Sequence, residues 1–359
     1  MELTPDDLAP RLARRFAIGG TASRIMRHPG GHINDSFRVD APGGAFLLQR
    51  LNPRVFPAAL SVMENVTHVA EHLAARSGGR WHMPELVPTV DGRRWTVDEF
   101  GAYWRMFRFV GATVRETAAT PAQAHEAGRA FGAFAALLAD YDGPPLHETI
   151  RGFHDTAGRF AQLEDAARRD PRHRLRDTRP ELDALLAERA VADILPALVA
   201  QGTLPLRIAH NDAKIANVLF DASARAVGVV DLDTVMPGLA LHDVGDMIRS
   251  MASAADEDER DLGRVTARPD FVDALLEGYL GSAVTVLTPA ERSRLAFAGR
   301  VITLEQAVRF LADHLDGDRY YRITRAGQNL DRARVQLALY RSLTAQEDAL
   351  AAAAGRLTT

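Results

Sequence analysis

The sequence predicts an α+β protein of two lobes, a strand-rich N-terminal one followed by a helical C-terminal one. Three observations carry this. Residues 36–49 alternate apolar and polar around a Pro-Gly-Gly turn, as a hairpin does. Beyond Thr113 most apolar residues recur at helical spacing. And 359 residues exceed what one hydrophobic core usually organises. The spacing puts the boundary near residue 110, giving an N-terminal lobe over 1–110 and a C-terminal lobe over 111–359.

The chain opens on a short helix within 1–18. Thr4 can cap it, Asp6 and Asp7 suit its first turn, and Leu8, Leu12 and Phe16 fall on one face. The hairpin strands are 36–40 and 45–49, joined by Pro42-Gly43-Gly44 and preceded by Gly30-Gly31. Residues 57–76 read as a helix entered by Pro57 and ended near Ser77-Gly78-Gly79. Strands follow over 86–110 around Asp91-Gly92, the strongest over 103–110. Helices are expected over 121–140, 155–169, 180–201, 270–282, 289–315 and 329–354. Residues 204–233 interrupt them with short apolar, strand-like runs.

Composition narrows the function classes. The chain is 47% hydrophobic and 25% charged, ordinary for a folded soluble protein. A net charge of -4 offers no basic excess for nucleic acid. No apolar run reaches bilayer length, and the acidic N-terminus lacks a secretory h-region. A cytoplasmic protein is expected, monomeric or weakly dimeric. The absence of cysteine excludes disulfides, thiolate metal sites and cysteine nucleophiles. Of 43 cationic Lys and Arg residues only Lys214 is lysine. Arginine replaces lysine freely at solvated positions, but poorly where a compact point charge is needed.

That lysine lies in the segment His210-Asn211-Asp212-Ala213-Lys214-Ile215-Ala216-Asn217, which a second segment, Val230-Asp231-Leu232-Asp233, follows. A structural loop between strands needs turn residues. It does not need an Asp, a Lys and an Asn at this spacing. Phosphoryl transfer does: a carboxylate to orient or deprotonate the attacking hydroxyl, a cation for the γ-phosphoryl, and oxygen ligands for Mg2+. Asp212 supplies the first and Lys214 the second. Asn217 and Asp231 are candidate metal ligands. Asp233 is a further one, although it could instead orient Asp231 or cap the next turn.

His210-x-Asp212-x-Lys214-x-x-Asn217 resembles the catalytic loop of the protein-kinase-like fold, and Val230-Asp231-Leu232-Asp233 its metal-binding strand end. With Leu241-His242-Asp243-Val244-Gly245-Asp246, the chain resembles the aminoglycoside phosphotransferase and choline kinase superfamily. The resemblance implies ATP and Mg2+ as cofactors, a structural His210 beneath the loop, and Asp243 hydrogen-bonded to the loop backbone. Gly30-Gly31-His32-Ile33-Asn34 resembles the phosphate-covering loop, which makes Gly30, Gly31, His32 and Asn34 nucleotide candidates. Met106, Phe107, Arg108 and Phe109 would form the lobe hinge, their backbone reading adenine. The runs at 210–221, 229–238, 242–249 and 309–321 are similar to bacterial N-acetylhexosamine 1-kinases. Those enzymes phosphorylate the anomeric hydroxyl of GlcNAc or GalNAc. The acceptor candidates are then His32, Asp212, Asp243, Arg249, Arg309 and Tyr320, with Asp246, Asp313 and Tyr321 beside them.

One departure stands out. Kinase-like folds usually carry a lysine on the third strand for the α/β-phosphates, and here Gln49 occupies the aligned position. Alternation puts Gln49 on the face of Leu47, with Arg50 on the other. The phosphates are therefore expected to rest on Gln49, the glycine loop and the metal, and Glu64 loses its usual lysine partner. Two rival readings remain. One is a kinase of the same fold acting on another sugar, an aminoglycoside, choline or homoserine. The other is a nucleotide-binding module without catalysis.

Overall fold

The computed structural model describes residues 3–28, 33–79, 81–82 and 84–357. Thr4 caps α1 (Pro5–Ala13) in a capping box with Asp7. The strands β1 (Arg24–Arg27), β2 (Asp35–Ala41) and β3 (Gly44–Arg50) precede α2 (Ala59–Arg76), then β4 (Thr96–Val97) and β5 (Tyr103–Arg108) follow. They form one antiparallel sheet in the order β1-β2-β3-β5-β4. Side chains alternate across it. Phe37, Val39, Phe46, Leu48, Trp104 and Met106 bury one face against Leu8 and Leu12 of α1 and Phe16. The opposite face of β3 and β5 carries Leu47, Gln49, Arg105 and Phe107, and the register sets Gln49 directly opposite Arg105.

The rest is helical: α3 (Pro121–Leu138), α4 (Thr156–Arg169), α5 (Arg179–Ala187) and α6 (Ile194–Ala200) come first. Two short antiparallel pairs then carry the polar loops. β6 (Arg207–Ala209) pairs with β9 (Met236–Gly238), and between them β7 (Val218–Phe220) pairs with β8 (Ala226–Val229). The chain ends with α7 (Ala240–Met251), α8 (Pro269–Ala283), α9 (Pro289–Arg292), α10 (Leu295–Asp316), α11 (Gln328–Ala345) and α12 (Glu347–Leu357). α10 is buried on nearly every side, between α7, α4 and α11. α3 and α8 approach backbone to backbone. A Cβ on Gly128 would lie 2.1 Å from the Leu275 carbonyl oxygen, and one on Gly278 2.0 Å from that of His125. Val62, Val66 and Val69 of α2 share a core with Phe131 of α3 and with Ile215 and Leu232. The sheet is thereby tied to the helical part through α2. Among the described residues, no helix is long and apolar enough to cross a membrane.

Three expected helices are broken. The one over 180–201 is split into α5 and α6 by a tight turn over Arg189–Asp193. Pro196 has no N–H to give a continuous helix and is tolerated only in the first turn of a new one. The one over 289–315 is α9 and α10. Glu291 caps Thr288 and takes both arms of Arg207 at 2.7 and 2.8 Å, which fixes that first turn as a separate unit. The third divides into α11 and α12 at Gln346, whose amide nitrogen donates to the Ala267 carbonyl and to Ser342. α7 went unanticipated because its aspartates and Gly245 mask the apolar spacing of Leu241, Val244, Ile248 and Met251.

Candidate active site

Past β6 the chain turns at Asn211, whose φ of 63° is in the left-handed region that Asn tolerates. Its amide nitrogen donates to the carbonyls of Ala209, Thr234 and Met236, tying the 210–217 loop to the 231–235 turn. Asp243, in the first turn of α7, accepts the backbone N–H groups of His210 and Asn211 at 2.9 and 2.7 Å. Both its oxygens are thus engaged in a buried position. Asp243, also expected among the acceptor contacts, is committed to the loop backbone. His210 is fully buried and its Nε2–H donates to the Val230 carbonyl at 3.0 Å. The rings of Phe131 and Phe134 meet it edge-on.

This frame presents Asp212. Its Oδ2 accepts from Lys214 Nζ at 2.8 Å and from Asn217 Nδ2 at 3.0 Å. Burial resists ionisation of Asp212, but the Lys214 ammonium outweighs it and holds the carboxyl well below the usual range. Burial likewise resists the charge on Lys214, and Asp212 and then Asp231 hold its pKa above the ordinary lysine value. The pair is charged at neutral pH.

Asp231 is different. It adopts φ 64° and is exposed. Desolvation by the surrounding protein, then the charges of Asp233 and Asp212, push its carboxyl up to about 6. A carboxylate crowded by like charge is stabilised by a divalent cation. Asn217 gives its amide nitrogen to Asp212, so its amide oxygen is the atom left for a hard metal. Among the described residues, no three His, Asp or Glu side chains converge as a metal cage. Mg2+ commonly takes one or two protein oxygens and completes its shell with phosphates and water, and Asn217 with Asp231 fits that donor set.

Asp233, the further ligand candidate, is buried with both oxygens engaged. Oδ2 accepts from Asn34 Nδ2 at 2.7 Å, and Oδ1 lies 2.5 Å from Arg105 Nη1. The latter is an ion pair by distance without hydrogen-bond alignment. The exposed carboxylate is therefore Asp231 and not Asp233. Asn34, expected at the nucleotide, bridges Asp233 to the Asn52 backbone N–H, which it accepts at 3.1 Å. Gln49 is also committed at both ends. Its oxygen accepts Arg105 Nε and Nη2 at 3.2 and 3.0 Å, and its nitrogen donates to Ser36 Oγ at 3.1 Å. Glu64 pairs with His147 at 2.9 Å. Gly30, Gly31 and His32 lie outside the described residues.

Arg105 was missed from the sequence. The available signal was a cation within the strongest strand, flanked by Trp104 and Met106, two apolar neighbours that face the core. Part of the expected hinge backbone is already engaged. The N–H groups of Arg108 and Phe109 donate to the carbonyls of Glu85 and Ala45, and the Met106 carbonyl accepts from Val87. These three backbone groups are bonded within the N-terminal lobe, so an adenine contact would fall to the others. The Phe107 ring lies under the Arg105 guanidinium, 5.0 Å away, while the Arg108 side chain reaches Glu85 at the surface.

On the acceptor side, Arg249 pairs with Asp246 at 2.7 Å and stands close enough to feel the charge of Asp212. Arg309 is mostly buried, and its nearest carboxylate is Glu305 at 3.9 Å. Its guanidinium instead faces three rings: Phe153 at 5.1 Å, Tyr321 at 5.7 Å and Tyr320 at 5.9 Å. Asp313 accepts the backbone N–H groups of Arg319, Tyr320 and Tyr321, so it shapes the turn that carries both tyrosines.

A buried pair that the sequence did not suggest lies behind the loop. His154 Nδ1 meets Glu305 Oε1 at 2.9 Å, and Nε2 meets the Asn211 carbonyl at 2.9 Å. Both partners can only accept, so the imidazole carries both protons. Burial opposes that charge, but Glu305 raises the His154 pKa. Against its own burial, Glu305 is drawn down to about 2 by His154. His242, whose ring lies 4.5 Å from that of His154, is pushed down to about 3 by burial and by its charged neighbour.

Comparison with known proteins identifies the family and the fold. The model of the phosphotransferase enzyme family matches residues 24–297. A spectinomycin phosphotransferase solved with ADP and spectinomycin aligns with a TM-score of 0.61 at 12% identity, covering 94% of this chain and 98% of its own. A choline/ethanolamine kinase family protein from Mesorhizobium loti aligns at 0.59 and 18% identity, covering 97% and 98%. A microcompartment-associated aminopropanol kinase aligns at 0.56 and 16%, covering 98% and 99%. At these identities the likeness is one of fold, that of protein-kinase-like small-molecule kinases. With its family model spanning most of the sequence, the chain belongs to the phosphotransferase enzyme family.

Proposed function

We propose that this protein is a Mg2+- and ATP-dependent kinase that transfers the γ-phosphoryl group to the anomeric hydroxyl of an N-acetylhexosamine, GlcNAc or GalNAc. The observation that carries the kinase reading is the charged Asp212–Lys214 pair, braced by Asn217 and set beside the open carboxylate of Asp231. The adenine nucleotides in solved spectinomycin phosphotransferase support ATP. The nucleotide would lie between residues 1–110 and the catalytic loop, with adenine read by the backbone beyond Phe109. Asn217 and Asp231 would hold Mg2+, which neutralises phosphate charge. ATP as the donor suits the cytoplasm expected from the sequence.

Asp212 accepts a hydrogen bond from the attacking hydroxyl and aims it at the phosphorus. A carboxylate held this far below its usual pKa is a weak base. Orientation is therefore its main task, and the proton leaves late, as a loose phosphoryl-transfer transition state permits. An anomeric hydroxyl, more acidic than an ordinary alcohol, suits such a base. Lys214 exchanges its Asp212 contact for the transferring phosphoryl group.

The surroundings of Arg309 support a neutral acceptor. Choline, ethanolamine, aminopropanol and aminoglycosides are cations, and cations are recognised by aromatic faces or carboxylates. Here the faces of Phe153, Tyr320 and Tyr321 are already occupied by the protein's own guanidinium, with Arg249 near it. An N-acetylated sugar offers hydroxyl and carbonyl oxygens to such donors and an apolar ring face to Tyr320. The test is a panel of acceptors read by ATP consumption. GlcNAc or GalNAc should exceed choline, ethanolamine and an aminoglycoside by at least about 100-fold in kcat/KM. Preference for any of the cations would overturn the acceptor assignment and leave the kinase assignment standing.

A further inference from the structure

We propose that Arg105 on β5 is the nucleotide-phosphate cation of this protein, taking the place of the β3 lysine that the resemblance to kinase-like folds leads one to expect. The inference rests on the nucleotide reading above and is independent of the acceptor. No lysine exists anywhere in the N-terminal part of the chain, and Gln49, at the aligned position, has both amide atoms engaged. Arg105 is the residue directly across the ladder from it, on the same sheet face and one strand over. Adjacent strands lie about 4.8 Å apart. The long guanidinium side chain spans such a step, whereas lysine would bring only a single point charge.

The placement is built. Gln49 accepts from Nε and Nη2 and fixes the plane of the guanidinium, while Phe107 lies under it. Arg105 is 1% exposed, yet its Nη1 makes no aligned hydrogen bond, although Asp233 lies 2.5 Å away. A buried guanidinium with an unaligned donor is costly unless a further acceptor completes it, and a phosphate oxygen is such an acceptor. Its partner Asp233 lies two residues past Asp231, the open metal candidate, which places Arg105 beside the phosphate-metal site. The acidic partner has moved too. In place of a lysine–glutamate pair between β3 and α2, where Glu64 pairs with His147, the ion pair joins β5 to the turn after Asp231. Arg105 and Asp233 therefore hold the sheet and the metal-binding turn in register, and Asn34 extends that bridge to the segment after β3.

The experiment measures equilibrium binding of Mg-ATP, of ATP in EDTA and of adenosine, without acceptor, to wild type, Arg105→Met, Arg105→Lys and the Arg105→Met/Gln49→Lys double variant. Arg105→Met should weaken Mg-ATP by about 10- to 100-fold, the range for one charge-assisted hydrogen bond. It should move adenosine less than about 2-fold and weaken ATP in EDTA as much as Mg-ATP, a pattern that loss of the metal-binding turn alone does not produce. Returning a lysine to β3 in the double variant should recover at least part of the loss. Should Arg105→Met fail to fold, Arg105→Lys decides by the same ratio, with Mg-ATP weakened more than adenosine. Equal losses for Mg-ATP and adenosine, a loss absent from ATP in EDTA, or no loss of Mg-ATP, would overturn the assignment. If wild type itself binds no Mg-ATP, the nucleotide reading falls with it, whereas failure on every sugar leaves it untouched.

Discussion

Replacing His154 with leucine removes the cation from a carboxylate that is 1% exposed. Glu305 is drawn from 4.5 to about 2, a change of roughly 2.5 units or about 3 kcal/mol at 1.36 kcal/mol per unit. Breaking a buried pair by deleting one partner costs about 3–5 kcal/mol in general, so a loss of about 3 kcal/mol is expected in urea unfolding followed by far-UV circular dichroism. Removing both charges in His154→Leu/Glu305→Leu should cost less than the single change, because no buried ion is left unpaired. The pH dependence carries the sign. In wild type the folded pKa of Glu305 is depressed, so its stabilisation is complete above about 4.5 and fades as pH falls toward 2. In His154→Leu burial dominates, and Arg309 at 3.9 Å is a poor substitute, so the folded pKa rises above the unfolded one. That variant gains stability on acidification; wild type gains too until about pH 6.5, because the raised pKa of His154 lets the folded state take its proton first, so the gap to wild type should narrow between pH 6 and 5, where only the variant still changes. Both variants free the Asn211 carbonyl, next to Asp212, so kcat should fall in each while KM for ATP holds. A single variant that loses less than about 1 kcal/mol, or a gap that widens between pH 6 and 5, would refute the paired-ion reasoning.

Lys214→Arg should lower kcat by about 100-fold or more with little change in KM, because a fork held on Asp212 cannot deliver a point charge to the phosphoryl group. Steady-state kinetics check this. Asp231→Asn should stabilise the metal-free protein at pH 7.5. Its raised folded pKa means that ionisation costs stability, growing from about pH 4 and complete above 6. The gain should be on the order of 1 kcal/mol, since the open side is solvent-screened, and the Mg2+-dependent rise in Tm in the presence of ATP should disappear. Gly278→Ala places a Cβ 2.0 Å from the His125 carbonyl oxygen, so α3 and α8 must part; a loss of about 3 kcal/mol or more is expected in the same urea assay.

The hairpin, the α+β order and the polar loop were legible because each is local. Alternation, a Pro-Gly-Gly turn and an Asp-Lys-Asn spacing all lie within a few residues of one another. Arg105 and His154 were not legible, because their meaning depends on partners far away in sequence. Gln49 is 56 residues from Arg105, and Glu305 is 151 from His154. Strand alternation located the face of Gln49 correctly but could not say what would occupy its amide. The occupation of hinge backbone groups was hidden for a related reason: whether a backbone N–H is free depends on the segment alongside, here residues 85–87, which bridge to Phe107 and take the Arg108 N–H. Asp233 and Asp231 look alike in sequence. Only the fold, by burying one against Arg105 and leaving the other open, separates them.

The measurement that bears most directly on the whole account is phosphorus NMR of the product formed from Mg-ATP with GlcNAc or GalNAc, for wild type and for Asp212→Asn. The account predicts ADP and a sugar phosphate whose phosphorus couples to the anomeric proton, with the Asp212→Asn rate reduced by about 1000-fold or more. A phosphate on any other oxygen, or near-normal turnover in Asp212→Asn, would contradict it.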